Sequence, residues 1–475
     1  MPDNPIKRPE TVQVNAYLGP DVKNRFELNQ DGWALPTSKV ARPLAADELP
    51  DLSDWKDPRV GWGLILPDPK DDDQLSDSID PAQRSTAAGA PEPIVELWKK
   101  RGEAPVFRYS SDLAPGHLRR YKSDGTSFTP KIESSEEGIE EHQIPRYLLI
   151  VGPPDVIPWE LQFELNLSKY VGRLDLTEQG YVNYVKHLLD DWSDSKISSN
   201  RPVIWSVDHR GDITHELWGS VANPVAKMMK NDSQIGDELR TLFAENALAD
   251  KLIDTLNERN PALIITSSHG STFPPHDHTL MEHNLGMLVD QNNALVTPAN
   301  LLSDWEPDGA IWYAHACCSA GALKDSSYAK VVSQTGTLKT LLEEIAKMGS
   351  KTSPTPRELL SCEKPLRAFI GHVELTFDWT IRDTNTRQIL TTDIKEALYQ
   401  RQHLASGAQP VPMAFEKYYD QVGPLLNQAM EAERLVNDQL RFELEPLVNQ
   451  RKLAALDRRS QVILGDPTVA LPTLV

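Results

Sequence analysis

Two apolar runs, each about the length of one β-strand and each ending on a reactive residue, constrain this chain more than any other feature. One covers residues 261–270 and reads Pro-Ala-Leu-Ile-Ile-Thr-Ser-Ser-His-Gly; the other covers 309–319 and reads Gly-Ala-Ile-Trp-Tyr-Ala-His-Ala-Cys-Cys-Ser. Runs that are apolar at consecutive positions suit strands covered on both faces, and such strands belong mostly to parallel sheets. Parallel strands deliver their carboxyl ends to one edge, where loops carry the chemistry. Here one run delivers His269 and the other Cys317. A thiol becomes a nucleophile only when a base or a positive neighbour holds it as thiolate, and histidine supplies both. The expectation is two neighbouring strands with His269 and Cys317 facing a common cleft.

The surrounding pattern alternates strand and helix. Residues 146–151 and 170–175 read as strands, and 179–192 as a helix that packs Val182, Val185, Leu188, Leu189 and Trp192 on a sheet. A strand at 202–207 follows, then amphipathic helical stretches at 215–230 and 235–259. The histidine strand comes next, and then a short helix with Thr297 as N-cap and Pro298 in its first turn. After the cysteine strand come a helix at 337–348 and a strand at 367–375. Covering helices at 391–404 and 415–459 close the chain, the second interrupted by Pro424 and Pro446. This order predicts right-handed crossovers and a mostly parallel α/β sheet with helices on both faces. Residues 1–95 are less regular, with strand-like stretches at 12–18 and 60–66, an acidic run at 67–73 expected to be a solvated loop, and linker chemistry at 85–93.

Composition narrows the function. Lysine plus arginine number 49 against 69 aspartate plus glutamate, a net charge of -20, which repels phosphate backbones and argues against nucleic acid as a partner. No apolar stretch reaches the length of a membrane-spanning helix, and the first residues lack the apolar core of a signal peptide, so a cytoplasmic protein without a membrane partner is expected. The three cysteines, Cys317, Cys318 and Cys362, make no disulfide framework. Residues 276–283 hold three histidines, an aspartate and a glutamate, but not at the spacing of a structural zinc site; a loop beside the site is expected, with no metal and no cofactor.

These residues carry a family resemblance. An apolar strand ending in His-Gly, then a helix, then an apolar strand ending in Ala316-Cys317-Cys318-Ser319 resembles the catalytic signature of caspase-like cysteine peptidases (clan CD), and within them the gingipain-type and CHAT-domain proteases. Tyr147 to Gly152 with Ile157-Pro158, Ala368 to Gly371, and Ile463 to Pro467 match the gingipain-type pattern in the same order, so the resemblance covers about residues 140–475. It implies a caspase-haemoglobinase-like three-layer sandwich. The divisions expected are an accessory or regulatory region at 1–95, an inactive caspase-like subdomain at 96–195 and a catalytic domain at 196–475.

The resemblance also implies roles. Cys317 is the nucleophile and His269 the acid and base, and the N–H groups of Gly270 and Cys317 form the oxyanion hole. Cys318 is the rival nucleophile; alternation along a strand would turn it away from the side Cys317 faces. Specificity is expected from His315, two places before the cysteine, from Asp175 or Asp208 recognising a basic side chain, and from Trp379 as a pocket wall. The expected activity is regulatory endopeptidase cleavage of a protein or peptide substrate after a basic residue. The alternative is a catalytically idle or partner-activated scaffold.

Overall fold

A computed structural model of the protein describes residues 11–13, 15–17, 19, 25–27, 50–69, 79–331, 336–382, 388–401, 408–436 and 441–472. Its centre is a twelve-stranded sheet. In chain order the strands are β1 (Trp62–Pro67), β2 (Val106–Tyr109), β3 (Arg119–Tyr121), β4 (Ser127–Phe128), β5 (Tyr147–Val151), β6 (Tyr170–Leu174), β7 (Val203–Ser206), β8 (Arg240–Phe243), β9 (Leu263–Ser267), β10 (Ile311–His315), β11 (Ala368–His372) and β12 (Gln461–Gly465). Their order across the sheet is β8-β7-β9-β10-β11-β12-β6-β5-β1-β2-β3-β4. Strands β5, β6, β7, β9, β10, β11 and β12 are buried at every residue, the pattern of strands covered on both faces.

The sheet is mostly parallel but turns over once in its middle. Strands β8, β7, β9, β10 and β11 run parallel to one another, and β12 pairs antiparallel with β11 while running parallel to β6. The strands β6, β5, β1 and β2 therefore point the opposite way. Carboxyl ends of β6, β5, β1 and β2 thus reach one edge, and those of β7, β9 and β10 reach the other.

Several expectations change here. The strand at 62–67 is β1, paired between β2 and β5, so residues before 95 contribute one strand to the central sheet. Asp68, expected in a solvated loop, is buried, ion-paired to Arg119 and bonded by the Tyr121 hydroxyl at 3.0 Å. Residues 70–73 of that acidic run lie outside the described residues. The helix Glu178–Leu189 exists, but its buried face is Tyr181, Tyr184 and Val185, with Val182 and Leu189 exposed, because aromatic residues fill the groove the aliphatic spacing suggested. The stretch 235–259 divides into the edge strand β8 and the helix Ala249–Arg259. The helix Pro298–Asp304 begins as expected, Thr297 Oγ1 accepting from the Asn300 N–H at 3.1 Å.

Candidate active site

The rung joining Ser267 of β9 to His315 of β10 fixes the site, because these neighbouring parallel strands end there and His269 and Cys317 each stand two residues beyond it. Past this rung the chains stay close. A Cβ built on Gly270 would collide with the carbonyl of Cys317 and lie 2.9 Å from its amide nitrogen, so the two backbones meet at a distance only glycine permits. Those two amides are the pair the resemblance implies for an oxyanion hole.

His269 is almost fully buried, with its Nε2 3.0 and 3.1 Å from the two carboxylate oxygens of Asp212. Asp212 was not foreseen. It follows β7 and caps the helix Ile213–Leu217, accepting from the Thr214 N–H at 2.8 Å. Burial pushes its carboxyl up, but the hydrogen bond and charge of His269 and the Thr214 hydrogen bonds outweigh this and hold it below the ordinary carboxylate range. The sequence signal was an N-cap pattern, Asp212-Ile-Thr214, four residues past the aspartate that drew attention.

Cys317 is wholly buried. Burial pushes its thiol well up, and hydrogen bonds from Thr376 and from the Asn15 backbone only partly offset this. The Thr376 N–H reaches Sγ at 3.1 Å. This arrangement favours the thiol over the thiolate. Cys318 does not sit on a strand: β10 ends at His315, and Cys318 takes a left-handed φ of 53° in the following turn. The alternation argument therefore lapses. What separates the two cysteines is the tight turn, in which the Cys318 N–H donates to the Glu374 carbonyl and its own carbonyl accepts from Ser353 Oγ at 2.5 Å. All three cysteines are free of disulfides, and burial pushes the Cys362 thiol up to about 12.

The residues expected to select substrate are placed unevenly. Trp379 joins Cys317, Cys318, Phe377 and Ala16 in one apolar cluster, so it stands beside the site. His315 instead turns inward, its Nδ1 2.8 Å from the Tyr313 hydroxyl and its ring 4.9 Å from that of His372. Burial drives its pKa down to about 4, so it offers no positive charge to an acidic side chain. Asp208 binds His215 Nδ1 at 2.7 Å. Asp175 follows β6, whose direction opposes β10, and lies at the other edge near Arg357; it is not brought to Cys317. The histidine-rich loop is spent on structure, with Asp277 capping the helix His278–Asn284, His278 bound to Glu344 and Glu282 to Lys351. Among the described residues no group of three or more His, Cys, Asp or Glu could hold a metal ion, and no helix is long and apolar enough to cross a membrane.

The chain matches no protein-family model and no curated protein. What the arrangement can do chemically therefore rests on these residues alone. It offers a thiol, an imidazole held by a carboxylate, and two backbone donors at a glycine contact.

Proposed function

We propose that the protein is a cysteine endopeptidase of the caspase-like type, related in design to gingipain-type and CHAT-domain proteases. The observation that supports this is the shared Ser267–His315 rung at the ends of two adjacent parallel strands, with His269 and Cys317 each two residues past it. Cys317 Sγ gives its proton to His269 and attacks the substrate carbonyl carbon. The Gly270 and Cys317 N–H groups take the oxyanion, His269 protonates the leaving amine as the C–N bond breaks, and water then hydrolyses the thioester. Asp212 orients His269 and balances the imidazolium charge that forms at each transfer. The three free thiols suit a reducing compartment such as the cytoplasm.

Cleavage after a basic residue has less support than the chemistry itself, since Asp208 is tied to His215 and Asp175 lies at the other edge. The second reading, a scaffold whose dyad waits on a partner, is favoured by one observation: Cys317 is wholly buried, which disfavours the thiolate. Mapping new protein termini after expression of wild type and Cys317→Ala separates the two. Cleavages unique to wild type support the peptidase; identical sets of termini favour the scaffold.

A further inference from the structure

The chain's own amino-terminal segment lies across the candidate site. The Asn15 N–H donates to the Thr376 carbonyl at 3.0 Å, and the Asn15 carbonyl accepts from the Gly270 N–H at 3.1 Å. Beyond it, Ala16 pairs with Gly270 and Tyr17 with Ser271 as a parallel ladder, and the Thr272 N–H donates to the Tyr17 carbonyl at 3.3 Å. Before it, the Gln13 N–H donates to Asp378 Oδ1 at 3.1 Å. An extended segment is thus held on two sides, by the stretch after β11 and by the stretch after His269. Its one carbonyl at Gly270 occupies the donor that the proposed mechanism assigns to the oxyanion.

This is how a peptide bound by strand addition would lie, and the register assigns its parts. Asn15 is the residue whose carbonyl faces the oxyanion donor, and Ala16 stands where a leaving amine would. The Asn15 side chain is fully buried, with Nδ2 3.3 Å from the His315 carbonyl oxygen. A carbonyl accepts hydrogen bonds and donates none. It therefore favours the Asn amide over an Asp carboxylate, which would be buried facing another acceptor. An arginine or lysine at this fully buried position would bury its charge, with the acidic candidates Asp175 and Asp208 engaged elsewhere.

Resting on the peptidase reading, we propose that residues 15–17 occupy the groove in substrate register, that the pocket selects asparagine before the cut bond, and that the Asn15–Ala16 bond is cut in cis. Sγ of Cys317 adds to the Asn15 carbonyl carbon and the C–N bond to Ala16 breaks. The thiol proton passes through His269 to the Ala16 amine, and water splits the thioester to leave the Asn15 carboxylate and free Cys317. Loss of residues 1–15 then empties the side of the groove that other substrates must enter.

The test uses the full chain as wild type, Cys317→Ala and Asn15→Lys, each followed by intact mass and amino-terminal sequencing and each incubated with a peptide library. Wild type is expected to begin at Ala16 and to cut library peptides after asparagine, Cys317→Ala to keep residues 1–15, and Asn15→Lys to be trimmed at least tenfold more slowly. If wild type keeps its first 15 residues yet cuts the library after other residues, the inference falls and the peptidase reading stands. Trimming that persists in Cys317→Ala, or that is as fast in Asn15→Lys, also overturns it. If wild type cuts neither itself nor the library, both fall.

Discussion

Asp212 and His269 are joined by two contacts, Nε2 of the imidazole lying 3.0 and 3.1 Å from the two carboxylate oxygens. The aspartate is in turn fixed by capping a helix, so a backbone feature sets the orientation of the imidazole proposed to act in catalysis. A carboxylate so placed selects one tautomer and stabilises the charged form that appears in the transition state, not in bound substrate. Asp212→Asn should lower kcat on the order of 100-fold, the low end of what positioned acid–base catalysis contributes, with KM little changed. Asp212→Glu should recover part of the loss. Steady-state kinetics with a thermal melt of each variant check this, because a purely structural role would lower the melting temperature and leave kcat of the folded fraction intact.

Gly270 meets the Cys317 backbone where no side chain fits. Gly270→Ala should cost about 1–3 kcal/mol of stability by overpacking and should abolish turnover by prising the two amides apart. Denaturant melts and peptide turnover, read together, test both halves.

Cys318 is buried in the turn but has no part in the proposed mechanism. Cys318→Ala should destabilise by about 0.5–3 kcal/mol and leave kcat within a few-fold of wild type. Loss of turnover in this variant, with Cys317→Ala active, would move the nucleophile by one residue.

Behind the site, burial raises the Asp457 carboxyl from the ordinary 3.8 to about 7 and, likewise, Glu374 from 4.5 to about 7. Asp457 Oδ1 has no hydrogen-bond partner among the described residues, and the His372 ring, with Nδ1 3.8 Å away, is kept neutral by the same burial. A carboxyl whose pKa rises on folding costs nothing below its unfolded value and destabilises progressively as pH climbs to its folded value. Wild type should therefore lose stability relative to Asp457→Asn between about pH 4 and pH 7, with the difference level above that window. Urea midpoints of both proteins across pH 4–8 measure it.

The strands that carry His269 and Cys317 were legible because burial on both faces writes an unbroken apolar run into the sequence, and Thr297-Pro298 announced a helix start through local backbone chemistry. Asp212 was hidden because an aspartate that caps a helix looks alike whether or not an imidazole sits above it. The reversal of strand direction at β12 was also invisible, since antiparallel and parallel pairing of a fully buried strand share one pattern. That reversal is why Asp175, which ends an apolar strand just as His269 nearly does, reaches the wrong edge. The amino-terminal segment was read as an alternating strand, but only the fold reveals that its partner is Gly270.

The central claim is that one sulfur and one imidazole, set by a single rung of the sheet, hydrolyse peptide bonds. It is tested most directly by incubating wild type, Cys317→Ala and His269→Ala with the same peptide library and sequencing the new termini by mass spectrometry. The account predicts a defined set of cleavages from wild type and none from either variant; termini produced equally by Cys317→Ala, or by none of the three, would contradict it.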